Sequence, residues 1–428
     1  MIGHLGLSRR RFFDGMLGGS ALTATALTGT KAALANGGPH DRTDVSHSGW
    51  QIDEGYWDKI RKQFLLPDGF AYLNTGTLGP TPGVVVSALE KYWRLMAVNP
   101  NENSLVFQNR QEQIRIKAAA FVGATPDEIA ITRNTTEGTT ILTHGLDMKP
   151  NDEVLITQYE HNSLRETRHR HAKRFGYVVN EVQFPMPCTS EQIINAFEAA
   201  ITPRTRVIHF ANPLGGFGCF TPVKQLAELA HSKNILCFVD GAHAPGMIHL
   251  NLSEWGIDGF ACNSHKWLCG AAGAGLLYVR KDIQDRIWPD ISIARQDPVG
   301  ARKYDQSSRR PWPCVAAFED ILDFHSAIGP ARIEDRARQL GSYLRRNAAE
   351  IPKVKIYTPM DPKMSCGSTT LGIEGVPGIQ LREYLRQRYD AYVPSGAAHL
   401  RISTHFFNTF EQCDRVLKAL KELSTGVA

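Results

Sequence analysis

Long apolar runs are scarce in this sequence. After residue 35 no segment approaches the ~20 strongly apolar residues that a bilayer span requires, which excludes stable membrane insertion of the chain body. Excess charge is scarce too. The 428 residues carry 48 Lys and Arg against 43 Asp and Glu, a formal +5, and Arg9, Arg10, Arg11 and Lys31 against Asp14 place +3 of it before residue 36. The rest of the chain, at +2, lacks the basic surface expected of a nucleic-acid partner. Cysteine is sparse, eight in all, with no C-x-x-C pair or other metal-ligand spacing, so no metal site is expected. Cys219, Cys237, Cys262 and Cys269 stand in apolar or Gly-rich surroundings and read as buried thiols. There is no internal repeat and no low-complexity run. With 42% hydrophobic and 21% charged residues, disorder, collagen and a disulfide-stapled miniprotein are excluded, and the length suits two or three domains or one large domain with a smaller companion.

The amino terminus reads as an address. Ser8-Arg9-Arg10-Arg11-Phe12-Phe13 is followed by a Gly/Ala/Thr-rich apolar run from Met16 to Gly29 and by Ala33-Leu34-Ala35, a small-residue cleavage site. That order predicts a twin-arginine signal peptide over 1–35, with the Tat export machinery as partner and the periplasm as destination. An amphipathic or membrane helix is the alternative, but the run is short and rich in Gly and Thr. Residues 36–49 read as a flexible linker, and a compact fold is expected from about Trp50. Tat export carries folded proteins, so a cofactor can be acquired in the cytoplasm before export. Folding there also argues against a disulfide-dependent fold.

From residue 128 onward, short β-type runs alternate with helical patterns: Glu128–Thr132, Glu153–Thr157, Tyr177–Gln183, Arg206–Ala211, Ile235–Asp240, Gly259–Asn263 and Gly275–Val279. Thr189-x-x-Gln192 is a capping box opening one helix, and Pro222 is expected in the first turn of another. Such alternation predicts an α/β fold with a mainly parallel seven-stranded sheet, whose ligands bind at the strands' carboxyl ends. After Ile333 a charged helical stretch (Arg336–Ala349), short strands near Val354–Thr358 and Thr369–Ile373, and a helix over Phe410–Leu423 predict a small C-terminal α/β domain. The domains expected are therefore 50–330, large, and 331–428, small.

The chemistry concentrates in Ile235-Leu-Cys-Phe-Val-Asp240-Gly-Ala-His243 and Asn263-Ser264-His265-Lys266-Trp267. An apolar strand delivers Asp240 at its carboxyl end, and a second such strand delivers Lys266 26 residues later. Taken singly, Asp240 reads as a cap and Lys266 as a surface lysine. Together they suit pyridoxal phosphate (PLP): the amine forms a Schiff base with the aldehyde, and the carboxylate keeps the pyridine nitrogen protonated so that the ring stabilises a carbanion at Cα.

The ordered set from about Tyr72 to Leu423 resembles the class V aminotransferase group of fold-type I PLP enzymes, closest to its isopenicillin N epimerase-like members. The resemblance implies a phosphate cup at Asn134-Thr135-Thr136-Glu137-Gly138, with Thr135 and Thr136 as ligands at a helix start. It implies that His161 stacks on the cofactor, that Asn212 and His243 approach its 3-oxygen edge, and that Asn263 and His265 assist the phosphate. Arg401, in Leu400-Arg401-Ile402-Ser403-Thr404-His405, is implied to grip a substrate carboxylate bidentately. Asn74, in Tyr72-Leu-Asn74-Thr-Gly76-Thr-Leu-Gly79, lies on the family's first active-site turn. A homodimer is implied as well.

Two departures stand out. Desulfurase relatives need a Cys shortly before the substrate arginine, whereas none lies between Cys366 and Cys413, so desulfuration is disfavoured. The Gly-Thr turn that relatives lend to a neighbouring subunit's phosphate is replaced by Ser307-Ser308-Arg309-Arg310, where Ser308 or Arg309 could substitute. The sequence thus points to an exported PLP enzyme working through an aldimine and a Cα carbanion on an amino-acid or peptide-derived substrate. Transamination, epimerisation and elimination stay open. The Tat signal on an epimerase-like chain resembles periplasmic PLP enzymes that tailor pyoverdine-type siderophores. A C–S lyase or small amino-acid transaminase is the enzymatic alternative, and a non-catalytic PLP-fold binding protein the alternative from another class.

Overall fold

The structure is a computed structural model in which residues 53–293 and 298–426 are described. The expected signal peptide (1–35) and linker (36–49) lie outside the described residues. Asp53 to Lys62 belong to a unit of their own, in which Asp53 caps the helix Glu54–Arg61 by accepting the Tyr56 N–H at 3.1 Å. From Gln63 onward the chain forms one compact unit.

Its first strand, β1 (Ala71–Tyr72), is followed by β2 (Ile129–Thr132), β3 (Glu153–Thr157), β4 (Val178–Val182), β5 (Thr205–Ala211), β6 (Leu236–Asp240), β7 (Gly259–Asn263) and β8 (Gly275–Val279). Strands β2 to β8 make one sheet in the order β2-β8-β7-β6-β5-β3-β4. β7, β6, β5, β3 and β4 are mutually parallel, and β8 is antiparallel to both β2 and β7. The fold is α/β, with a mainly parallel seven-stranded sheet.

The apolar runs exist because helices cover both faces: β2, β3, β6, β7 and β8 are buried at every residue. β4, at the sheet edge, keeps Asn180 and Glu181 partly open, as an edge strand does to discourage pairing with another chain. Ala130, Val154, Val207, Phe238, Ala261 and Leu277 share one core. Full burial of each larger side chain contributes ~1.5–3 kcal/mol, so the sheet is a rigid platform. The Thr189/Gln192 capping box forms as read, with the Gln192 N–H donating to Thr189 Oγ1 at 3.2 Å. Pro222 stands at the N-cap of Val223–Ser232, one position before the expected first turn.

The later strands are β9 (Val354–Ile356), β10 (Ser368–Ile373), β11 (Ala391–Tyr392) and β12 (Leu400–Ser403). β12, β10 and β9 form an antiparallel sheet in that order, backed by the helices Pro330–Ala349 and Phe410–Thr425. Leu340, Leu371, Leu400, Ile402 and Val416 form a second core, and Ala71 and Leu73 join it. β1 pairs in parallel with β11, so the chain threads its first active-site turn between the two cores before building the large sheet. Gly329, at φ +100°, links the helices Trp312–Ile328 and Pro330–Ala349, next to the expected 330/331 boundary. No helix among the described residues is long and apolar enough to cross a membrane.

The edge strand β2, which leads into the candidate phosphate cup, is anchored by a buried ion pair. Asp305 Oδ2 accepts the Ile131 N–H at 3.0 Å and lies 2.8 Å from the Arg115 guanidinium, with both side chains under 5% exposed. Asp305→Ala leaves the Ile131 N–H without its acceptor and Arg115 with Glu112, at 3.0 Å, as its remaining carboxylate, and is expected to destabilise the protein by about 1–3 kcal/mol in denaturant titration. A loss below about 1 kcal/mol would contradict that role.

Candidate active site

β2, β3, β5, β6 and β7 all end on one edge of the sheet, so the residues just beyond Thr132, Thr157, Ala211, Asp240 and Asn263 converge there. Asp240 is the last residue of β6 and is buried; its Oδ1 accepts the Ala242 N–H at 2.9 Å. Oδ2 has no protein partner among the described residues. Burial raises the Asp240 pKa, opposed by the Ala242 N–H and by the positive influence of Lys266 and His161. The Lys266 amine is itself buried, and that burial brings its pKa down to about 8, with Asp240 attracting the proton and Arg401 repelling it. These mutual influences place Asp240, Lys266, His161 and Arg401 around one space.

His243 stands at the centre of this space. Its Nε2 is 3.2 Å from Lys266 Nζ, and its Nδ1 accepts the Trp267 indole N–H at 3.1 Å. Burial, then Lys266, Arg401 and His161, drive its pKa well below the ordinary histidine value. Gly215 packs so closely that a Cβ there would stand 2.6 Å from Nε2, a distance no real side chain tolerates. Asn212 spends its carbonyl on Thr221, accepting the backbone N–H at 3.0 Å and the hydroxyl at 3.1 Å, which leaves its amide hydrogens free. Glu160, fully buried after β3, has Oε1 engaged by the Thr157 hydroxyl and the Ala211 N–H and Oε2 unpartnered; burial lifts its pKa to about 8.

The helix Thr135–His144 starts at the residues expected to form the cup. Asn134 caps it, accepting the Glu137 N–H at 3.0 Å, and the N–H groups of Thr135 and Thr136 are left for an anion. Asn263 differs from its expected role. Both its amide hydrogens are spent, on Thr135 Oγ1 at 2.9 Å and on the Ala242 carbonyl at 3.3 Å, and its Oδ1 accepts the Lys266 N–H at 3.2 Å. It has no donor left for a phosphate and instead fixes Thr135 relative to Lys266. His265 keeps a buried, unpartnered Nδ1. His161 caps its own helix, with Nδ1 2.8 Å from Ser163 Oγ, leaving Nε2 free. Arg309 reaches Ser104 Oγ at 3.2 Å.

Arg401, on β12, is held by the Gly215 carbonyl at 3.1 Å, Asn74 Oδ1 at 3.3 Å and Thr77 Oγ1 at 2.6 Å. Its Nε is buried without a partner, and among the described residues no carboxylate forms an ion pair with it. Burial lowers its pKa to about 10. The turn bearing Asn74 is fastened over Lys266: the Gly79 N–H donates to the His265 carbonyl at 2.7 Å, and a Cβ on Gly79 would come within 2.1 Å of the Lys266 carbonyl. Thr77, on the turn that the sequence offered with Asn74 as an alternative hold on the substrate, meets Arg401 directly, whereas Glu160, Gly215 and Trp267 were given no role by the sequence reading. Only Trp267, adjoining Lys266, had a signal that could have found it.

These donors and acceptors fit PLP: a buried amine, a carboxylate with a free oxygen, free amide hydrogens on Asn212 and an open helix start. Residues 71–416 match the family described as aminotransferase class-V. The chain belongs to the class-V aminotransferases. It is 29% identical to isopenicillin N epimerase from Streptomyces clavuligerus, covering 86% of this chain and 98% of that one. To a probable cysteine desulfurase from Methanothermobacter thermautotrophicus it is 25% identical over 86% of this chain and 98% of the other. Among solved structures it is similar to C-DES carrying glycine covalently linked to its PLP cofactor (TM-score 0.77, 24% identity, 85% and 99% coverage). It is similar also to cysteine desulfurase from Thermococcus onnurineus (TM-score 0.76, 22% identity, 88% and 99% coverage). This class-V aminotransferase is a PLP-dependent enzyme.

For a class-V enzyme the basicity of the cofactor lysine sets when it can react. A folded-state pKa near 8 instead of 10.5 means that the free amine appears as pH rises through about 8. Labelling of Lys266 with an amine-reactive anhydride in cofactor-free protein is therefore expected to show a midpoint near 8. A midpoint near 10.5 would show that the amine is solvated.

Proposed function

We propose that this class-V aminotransferase is an exported enzyme acting at the Cα–H of an amine-bearing carboxylate. The observation that carries the reading is Arg401: a half-buried guanidinium whose Nε is buried without a partner, fixed by three neutral oxygens, and with no acidic partner among the described residues. A partly desolvated cation without a counter-ion is stabilised by an arriving anion, and a planar fork matches a carboxylate. Bound PLP would supply a carbonyl for amine attack and a ring that delocalises negative charge at Cα.

The chain's own residues divide the remaining work. Lys266 would hold the cofactor's carbonyl and move the proton at Cα. Asp240 Oδ2 would accept from the ring nitrogen, and Asn212 and His243 would donate to the ring oxygen. His161 would cover the ring, and the helix start at Thr135 and Thr136, with His265, would hold the phosphate. Nucleophilic sulfur chemistry is disfavoured: the segment Val393–His399 before Arg401 contains no cysteine, and Cys269, packed against Gly79, is pushed well above ordinary thiol basicity by burial.

The likeness to isopenicillin N epimerases supports a peptide-derived substrate. The twin-arginine pattern supports completion in the periplasm, for which tailoring of a pyoverdine-type siderophore is the specific assignment. Exposed Trp93, Leu95, Val98, Leu105 and Val106 on the consecutive helices Gly83–Val98 and Pro100–Val122 support a homodimer. Mass spectrometry of secreted metabolites with and without the protein is the direct test. The expected difference is one metabolite altered at an amine-bearing carbon, and identical profiles would overturn the assignment.

Arg401→Ala is expected to retain PLP, since the cofactor's anchors are untouched, and to lose substrate. A charge-assisted bidentate pair is worth roughly 2–5 kcal/mol, about 30-fold to several-thousand-fold in affinity. Arg401→Lys should restore only part of this. Spectral titration with substrate is the measurement, and unchanged affinity in Arg401→Ala would place the carboxylate elsewhere. Separately, replacing Arg9 and Arg10 by Lys is expected to leave a folded, PLP-loaded precursor in the cytoplasm. Undiminished periplasmic protein on fractionation would count against Tat export.

A further inference from the structure

Consecutive residues of the chain hold the two nitrogens of one imidazole: Trp267 on Nδ1 of His243 at 3.1 Å, Lys266 on Nε2 at 3.2 Å. An indole N–H can only donate. Nδ1 of His243 must therefore carry a lone pair, and in the neutral ring the hydrogen sits on Nε2, facing the lysine. The neutral ring is itself enforced, because His243 is buried among Lys266, Arg401 and His161, all of which oppose a second proton. An N–H aimed at Nζ finds an acceptor only in the free amine, since an ammonium has three donors and no lone pair.

We propose that Trp267 is a positioning residue that fixes the tautomer of His243 and thereby favours Lys266 as a free amine. This deepens the reading of Lys266 as the residue that binds the cofactor's carbonyl, and rests on it. The ring cannot escape by turning. The Gly215 backbone lies against its Nε2 edge, and Trp267 is fully buried, clamped by Gly367 and by the His405 ring at 5.1 Å. The groups facing the amine are Asp240, which attracts a proton, Arg401, which repels it, and the imidazoles of His161, His243 and His265. His243 alone among them is within hydrogen-bond distance of Nζ. When Lys266 turns away to react, the same Nε2–H is left for another acceptor. An imidazole or a carboxamide can fill this position, because each offers one acceptor to the indole and one donor to the amine.

The test uses the full-length chain with histidine nitrogens labelled, as holoenzyme and after removal of PLP. Long-range nitrogen–proton NMR is expected to show His243 as the pure Nε2–H tautomer between pH 6 and 9. An Nδ1–H or cationic ring in wild type would overturn the proposal without any variant being needed. In Trp267→Phe, both tautomers are expected to populate, and the midpoint of Lys266 labelling should rise by about one pH unit, a roughly tenfold loss of free amine at neutral pH. His243→Gln, which keeps an acceptor and a donor, should hold the wild-type midpoint, and His243→Gln combined with Trp267→Phe should raise it. An unchanged tautomer and midpoint in a folded Trp267→Phe protein would also overturn the proposal. PLP uptake, followed by absorbance, is scored separately: a wild type that takes up no PLP defeats the functional reading and leaves the tautomer result standing.

Discussion

A lysine amine removed from water, with an arginine nearby, is the arrangement on which the rest of this site depends. Burial penalises the ammonium form of Lys266 and Arg401 adds repulsion, so Asp240 must supply compensating negative charge. Asp240 is in turn costly to bury as a carboxylate, which raises its pKa, and the Ala242 N–H and then Lys266 oppose that cost. Neither residue is comfortable without the other, which explains why both sit at adjacent strand ends of a sheet too rigid to relax. β6 and β7 are paired through Asp240 and Ala261, fixing the separation of these two groups in the backbone itself.

The loop after β5 couples the cofactor side of this site to the substrate side. Asn212 leaves its amide hydrogens free toward the cofactor, while three residues later Gly215 meets both His243 and Arg401, the first by close approach and the second through its carbonyl. A shift of this loop therefore moves the surroundings of His243 and Arg401 together. Thr370 and Thr358 hold the same loop through the carbonyls of Gly216 and Phe217, so the C-terminal sheet that carries Arg401 also sets the loop that orients it.

The strands of the large sheet were legible because burial on both faces writes an unbroken apolar run into the sequence, as in Ile235 to Val239. The helices Gly83–Val98 and Pro100–Val122 were not. The second of them buries Ser104 and Arg115 among apolar residues, and the pairing of Arg115 with Asp305, 190 positions away, cannot be seen in any local window. Strand β12 was read for its arginine and not for its extended backbone, since Leu400–Ser403 is short and its partner β10 lies thirty residues upstream. At the site, residue types gave the ordered set from Thr135 to Arg401. Hydrogen-bond direction did the rest. Asn263 has the chemistry of a phosphate donor, yet its neighbours consume both hydrogens. Trp267 has the look of core packing, yet its one polar atom meets His243.

Taken together, the titrating groups define what the site attracts. Burial lowers the basicity of His161, His243 and His265, so these rings are neutral near pH 7. Burial also lifts Glu160 to about 8, leaving that carboxyl mostly protonated and a source of a hydrogen bond instead of a charge. What remains charged is Asp240 on one side and Arg401 on the other, with Lys266 divided between its two forms and the helix start at Thr135 contributing partial positive charge. The balance is positive where anions are expected and negative only beneath the ring nitrogen. Anions are therefore favoured at the helix start and at Arg401, and among the neutral imidazoles Lys266 is left as the group whose basicity is suited to moving a proton at neutral pH.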